Sequence, residues 1–264
     1  MDIKVHYLLS VHEQKWIENA KVFRASYEKY SAGIDHKLYI VVKDDELKPP
    51  SDYIKSIFEG MDVEFIVHPN YILDCGTQQK FFNDYEADLY CGIGNYTTFC
   101  ADDWLLKMCK PFSKGKVGMV SPHGSYEQGV STHRVNIVIR NSCFVVNPEI
   151  FHKLHWPVTT KKESYEWEHG NNSISKICLQ KGYELIVVDK NGKEYEMDNW
   201  EIPNGYRNGD QSMMLSRDNQ TDVYDSEVAK AITKGEEAAC REWWRRLTYP
   251  DGWKQYVQNF KETK

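Results

Sequence analysis

The chain reads as an α/β domain with a mostly parallel central sheet that becomes mixed in its second half, followed by C-terminal helices. Two observations predict this. Through the first 110 residues, short β-branched runs alternate with apolar residues at helical spacing, the pattern of strands joined by crossover helices. From residue 117 onward, strand-like runs follow one another through loops, a pattern that calls for antiparallel pairing.

Residues 3–9 (IKVHYLL) form the first strand. Residues 13–30 place Trp16, Ile17, Ala20, Phe23 and Tyr27 on one helical face, and Gly33 follows. Residues 37–42 are a short, fully buried strand. Pro49-Pro50-Ser51 opens a short helix through Phe58, and Gly60 stops it. A third strand spans residues 63–67. A helix capped at Asp74-Cys75-Gly76 runs to Tyr85, with Phe81 and Phe82 inward. A fourth strand spans residues 88–94, and a helix follows over residues 104–109, with Asp102 and Asp103 as its cap. Beyond it, residues 117–120, 135–139 and 143–146 read as strands, 168–181 as a helix ending at Gly182, and 184–188 as a strand. Asp189–Gly192 is a hairpin turn signal. Residues 204–219 are a polar loop suited to act as a flap. Residues 226–261 are helical, with Trp243, Trp244 and Trp253 interleaved by Arg241, Arg245 and Arg246. The expected division is 1–225 for the main domain (halves 1–110 and 111–225) and 226–264 for a packed helical extension.

The chain has 264 residues and a formal net charge of -6, which argues against a broad basic surface for nucleic acid. Its seven cysteines include no Cys-x-x-Cys pair, as expected of reduced, mostly buried thiols in a cytoplasmic protein. Neither a leader sequence nor an apolar run of the ~18–20 residues that span a bilayer is seen. His152 and His155 have helical spacing, but nothing nearby completes a zinc site.

The candidate site follows from the strand order. In an open α/β sheet, ligands bind at the carboxyl ends of the strands. Ser10 ends the first strand, Asp44 follows the second, and Asp74 opens a helix whose N-terminus faces anions well. Carboxylates there suit a base or ribose hydroxyls, and they equally suit capping of turns. Asn95-Tyr96-Thr97 follow the fourth strand. Their neutral side chains hold Mg²⁺ or Mn²⁺ poorly, so no metal ligand is assigned, and Arg134, Arg140 or Lys176 is the cation that would take a metal's place. Glu166 and Glu168, read at the entrance to a helix, are candidate general bases, with His169 beside them. The small residues around His123 and Ser125, together with His133 and Arg134, suit close approach of a sugar.

Taken together, Tyr7–Ser10, Phe23–Tyr27, Gly33–His36, Asp74–Gly76, Ala101–Leu105, Gly118–Ser125, Arg140–Val146, Glu168–Ser173, Gly209–Gln211 and Asp218–Tyr224 resemble small bacterial or viral nucleotide-sugar transferases with the GT-A fold, family-2-like. The resemblance covers roughly residues 3–225. It implies a Rossmann-like domain that moves a sugar from a UDP-, GDP- or dTDP-sugar to a glycan or lipid-linked acceptor hydroxyl, with inversion, in surface polysaccharide or glycoprotein glycan synthesis. It puts Ser10, Asp44, Asp74 and Asn95–Thr97 at the donor, with Asn95–Thr97 at the usual Asp-x-Asp metal position. It puts Glu168 near the usual acceptor-side base. The alternative is a sugar- or protein-binding module that keeps the fold without the metal motif. The Trp/Arg face of the C-terminal helices would serve packing or a peripheral contact with an anionic membrane.

Overall fold

The computed structural model describes residues 1–125, 137–153, 158–170, 173–200, 202–203, 212–219 and 221. In chain order the elements are β1 (Ile3–Ser10), α1 (Gln14–Lys29), β2 (Lys37–Lys43), α2 (Asp52–Ile57), β3 (Val63–His68), α3 (Leu73–Asp84), β4 (Leu89–Ile93), β5 (Thr98–Phe99) and α4 (Trp104–Cys109). They continue with β6 (Val117–Ser121), β7 (Gly124–Ser125), β8 (Val138–Ile139), β9 (Cys143–Val146), α5 (Lys161–Glu168), α6 (Ile174–Gln180), β10 (Glu184–Val188), β11 (Glu194–Tyr195) and β12 (Ser216–Arg217). His133, Arg134, residues 204–211 of the expected flap and the helices expected over 226–264 lie outside the described residues.

Eight strands form one sheet in the order β11-β10-β6-β9-β4-β1-β2-β3. Strands β3, β2, β1 and β4 are parallel, β9 runs antiparallel between β4 and β6, and β6 pairs in parallel with β10. This is the Rossmann-like arrangement expected, mostly parallel and mixed in its second half. The chain builds outward from β1 in both directions, so β1 and β4 flank a topological switch point where a crevice opens.

Alternate residues of one strand enter opposite cores, as the two-residue period requires. Ile40 and Val42 pack with Tyr7, Leu9, Phe23, Phe99 and Trp104, whereas Tyr39 and Val41 pack with Phe81, Phe82, Tyr90, Phe144 and Trp167. Two stacked pairs, Tyr7–Phe23 and Phe99–Trp104, each with centroids 3.8 Å apart, fix α1 and α4 on the first face. Burying one such ring contributes about 1.5–3 kcal/mol. The polar Lys37–Glu64 pair at the strand starts stays exposed, so the sheet's amino edge and its apolar interior are clearly separated.

Three expectations are corrected. The helix expected over 168–181 is two helices. Thr160 and Glu163 form a capping box that starts α5 at Lys161, and α5 ends at Glu168, with Ser173 capping α6. Glu166 and Glu168 therefore lie at a helix end, not at an entrance. The carboxylates of Asp102 and Asp103 do not cap α4: Asp103 sits at the N-cap in the left-handed region and makes no side-chain capping bond, and Asp102 Oδ1 accepts from Ser31 N at 2.9 Å. Within the expected loop 204–219, Ser216 and Arg217 instead pair with Phe99 and Thr98.

Candidate functional site

The carboxyl edge of the sheet collects the polar side chains of interest. Parallel register places Ser10 opposite Lys43, and Lys43 opposite His68. Lys43 is 4% exposed, and its Nζ donates to Asp74 Oδ1 at 2.6 Å in the first turn of α3. Asp74 is largely exposed, and Ser10 is half-buried. Asp44 shapes its own turn: its Oδ1 accepts from Glu46 N at 2.9 Å, and its N–H donates to the His68 carbonyl at 2.9 Å.

The loop after β4 is held from three sides. Tyr7 Oη donates to the Asn95 carbonyl at 2.9 Å, and Asn95 Nδ2 donates to the Trp16 carbonyl at 3.1 Å. Asn95 Oδ1 accepts from Asn19 Nδ2 at 3.0 Å. Thr97 Oγ1 donates to the Ser142 carbonyl at 2.7 Å, and Tyr96 stands against the Trp16 ring. Asn95 and Thr97 thus spend their side-chain oxygens and donors within the protein. Among the described residues, no cluster of three or more His, Cys, Asp or Glu is placed to hold a metal ion. The neutral side chains of Asn95, Tyr96 and Thr97 suit Mg²⁺ or Mn²⁺ poorly, since such ions favour at least one carboxylate oxygen.

Glu168, the last residue of α5, packs against the first turn of α3. Its Oε1 accepts from Asn141 Nδ2 at 2.9 Å and from Cys75 Sγ at 3.1 Å, and its Oε2 lies 3.5 Å from His169 Nε2. Burial raises the carboxyl pKa, but His169, Cys75 and Asn141 together outweigh it, and the net shift is downward. The side chain remains 32% exposed, so an ionised carboxylate reaches solvent beside the α3 N-terminus. Burial and the neighbouring carboxylate push the Cys75 thiol up, which keeps it a donor. Glu166 lies near Lys176, whose ammonium donates to the His169 carbonyl and is lowered to about 8 by burial.

The tripeptide Arg140-Asn141-Ser142, just before β9, links these parts. Arg140 Nη2 lies 3.7 Å from Asp218 Oδ2, Asn141 holds Glu168, and Ser142 accepts from Gly94 and Thr97 through its carbonyl. Asp218 also accepts from the Thr221 N–H and hydroxyl. Burial opposes the charge on Asp218, yet Arg140 and these donors hold its carboxyl well below the usual range. His123 is buried and shares a 3.2 Å hydrogen bond with Ser216 Oγ, and Ser125 is buried in the β7–β8 pair.

Ser10 ends β1, Asp74 lies in the first turn of α3 against Lys43, and Glu168 and His169 lie at the end of α5, where Glu168 meets Cys75 of α3. Asn95, Thr97 and His123 are present but engaged in internal bonds. Sequence reasoning gave no role to Lys43, Cys75 or Asn141. A Lys that ends an apolar run and precedes two acids looks like the first residue of a loop, and only the register shows it buried.

No protein-family model and no curated protein matches the chain. Among solved structures, the chain is similar to the mannosyltransferase PcManGT from Pyrobaculum calidifontis in complex with GDP-Man and Mn2+, at 12% identity and a TM-score of 0.47. That match covers 70% of this chain and 54% of the other, so this chain spans about half the mannosyltransferase's length. It is similar to mouse xyloside xylosyltransferase 1, apo form, at 7% identity and a TM-score of 0.42, covering 78% and 84% of the two chains. It is also similar to the 4-diphosphocytidyl-2C-methyl-D-erythritol synthase from Anaerococcus prevotii DSM 20548, at 12% identity and a TM-score of 0.42, covering 62% and 80%.

Proposed function

We propose that this chain transfers a sugar from a UDP-, GDP- or dTDP-sugar to a hydroxyl of a glycan or lipid-linked acceptor, with inversion at the anomeric carbon. The observation that carries the reading is the Glu168 carboxylate, kept ionised by Asn141, Cys75 and His169 at the sheet edge that also bears Ser10 and Asp74. In this reading the nucleotide lies over Ser10, Asp44 and Asp74. Glu168 takes the acceptor hydroxyl proton as that oxygen attacks the anomeric carbon. The bond from sugar to phosphate breaks, and its electron pair leaves with the nucleoside diphosphate. A carboxylate with a lowered pKa is a weak base, so its contribution rests on being unprotonated and correctly placed at neutral pH. Arg140 is the candidate cation for offsetting charge on the leaving diphosphate. The acceptor would be a surface polysaccharide or a glycoprotein glycan.

The internal hydrogen bonds of Asn95 and Thr97 favour a second reading, a sugar-binding module without turnover. Thermal-shift titration with UDP-, GDP- and dTDP-sugars, with and without Mn²⁺, followed by assay of diphosphate release, separates the two. Stabilisation with release supports the transferase, and stabilisation without release across a range of acceptors supports the module.

A further inference from the structure

We infer that the cleft between α1 and the two-stranded β5–β12 ribbon is a carbohydrate site, separate from the donor crevice, that takes a sugar bearing a carboxylate. The site goes beyond the transferase reading and does not depend on it. The cleft has a volume of about 440 Å³, within the range of small-ligand sites. Antiparallel register sets Arg217 opposite Thr98 and Ser216 opposite Phe99, so the two pairs face opposite sides of the ribbon. Phe99 stacks on Trp104 and Ser216 bonds His123, which marks their side as the inward one. Thr98 and Arg217 therefore face outward and line the cleft, together with Asn19 and Val22 of α1 and Tyr96.

The electrostatics of the cleft favour an anion. Among the described residues, its charged side chains are Arg217 and Asp218. Asp218 is 3% exposed, and its carboxylate accepts from Thr221 and lies 3.7 Å from Arg140, so its charge is already offset. The same contacts pin the end of β12 and hence the backbone that carries Arg217. A guanidinium has five N–H donors in a planar fork, enough to keep a contact within the protein and still engage a carboxylate of a ligand.

The remaining lining residues suit a sugar ring better than a bare anion. Thr98 adds a hydroxyl that both donates and accepts. Asn19 Nδ2 is spent on Asn95 Oδ1 at 3.0 Å, which orients the amide and leaves its carbonyl oxygen as an acceptor for a sugar hydroxyl. Tyr96 is half-buried with its ring centroid 5.1 Å from that of Trp16, and Val22 is 56% exposed. These two supply an apolar wall for the C–H face of a pyranose.

The test is titration of the full chain, read by NMR shifts or calorimetry, with glucuronate, galacturonate, N-acetylneuraminate, glucose, galactose and acetate. The wild type, Arg217→Gln and Val22→Glu are compared. At least one acidic sugar should bind about 10- to 100-fold more tightly than the neutral sugars and acetate, the range that one charged hydrogen bond gives. Arg217→Gln should remove most of that preference and leave neutral-sugar binding nearly unchanged. Val22 is exposed, so Val22→Glu keeps the fold and sets a like charge at the rim. It should weaken the acidic sugar several-fold and spare the neutral ones. Equal affinity for acidic and neutral sugars overturns the inference, as does binding of none of them by the folded wild type. A preference that neither variant alters also overturns it. Displacement of the acidic sugar by UDP, GDP or dTDP places it in the donor crevice and overturns a separate site. Each of these failures leaves the transferase reading standing, because that reading seats the nucleotide over Ser10, Asp44 and Asp74.

Discussion

The Asn141 side-chain amide donates to Glu168 Oε1 at 2.9 Å, which ties the end of α5 to the start of β9 and fixes the carboxylate beside the sheet edge. Replacing Asn141 with Ala removes one of the donors that favour the ionised form. The Glu168 pKa should then rise, and the acid limb of the kcat/KM profile should move to higher pH. A pH–rate profile checks this, and the alkaline limb should not move.

A second prediction concerns His6 and His68. Burial holds His6 at about 3, with His68 adding to the effect, and burial holds His68 at about 4. His6 lies against Phe81 and Phe82, and among the described residues neither of its ring nitrogens has a hydrogen-bond partner. The folded pKa values lie below the ordinary histidine value, so the unfolded chain binds protons first as the pH falls. Stability is therefore full above about pH 6.5 and declines from there toward pH 4 and 3, at up to about 1.4 kcal/mol for each pH unit and each histidine. Thermal melts of His6→Leu between pH 7 and 4.5 should show a shallower decline than the wild type.

Gly76 supplies a third. A Cβ there would lie 2.7 Å from the Val158 carbonyl oxygen, a backbone atom that cannot swing aside. Gly76→Ala should cost about 1–3 kcal/mol by overpacking, read as a lower denaturant midpoint with an unchanged m value. It should also weaken nucleotide binding, since α3 carries Asp74 and Cys75 in its first turn.

Asp218 gives the fourth. Removing one partner of a buried ion pair leaves the other uncompensated, at a cost of about 3–5 kcal/mol. Asp218→Ala should destabilise the protein on that scale at pH 7 by orphaning Arg140 and the Thr221 donors. Because the Asp218 pKa is depressed in the fold, this contribution is present above about pH 3.8 and is lost as the pH falls further. Urea melts of both proteins at pH 7 check it.

Much of the fold was legible from period alone. Strands such as β2, with five consecutive apolar residues, and α1, with a clear apolar stripe, carry their own signal. The break between α5 and α6 was harder to read. Gly170 donates back to Tyr165 and Glu166, and a Cβ there would collide with Glu166, so the helix ends in a local turn that the apolar period alone does not mark. The two-residue strand β12 depends wholly on its partner β5. At the site, Ser10, Asp74 and Glu168 could be found from their positions beside strand and helix ends. Cys75 and Asn141 could not, because they matter through contacts 93 and 27 residues away in sequence.

The most direct test of the central claim is nucleoside diphosphate release from UDP-, GDP- and dTDP-sugars by the wild type and by Glu168→Gln, with donor affinity measured on the same samples. The account predicts release by the wild type that falls about 10²- to 10⁴-fold in Glu168→Gln, the usual contribution of a general base, with donor binding and melting temperature preserved. Wild-type and variant rates that agree within error would contradict it.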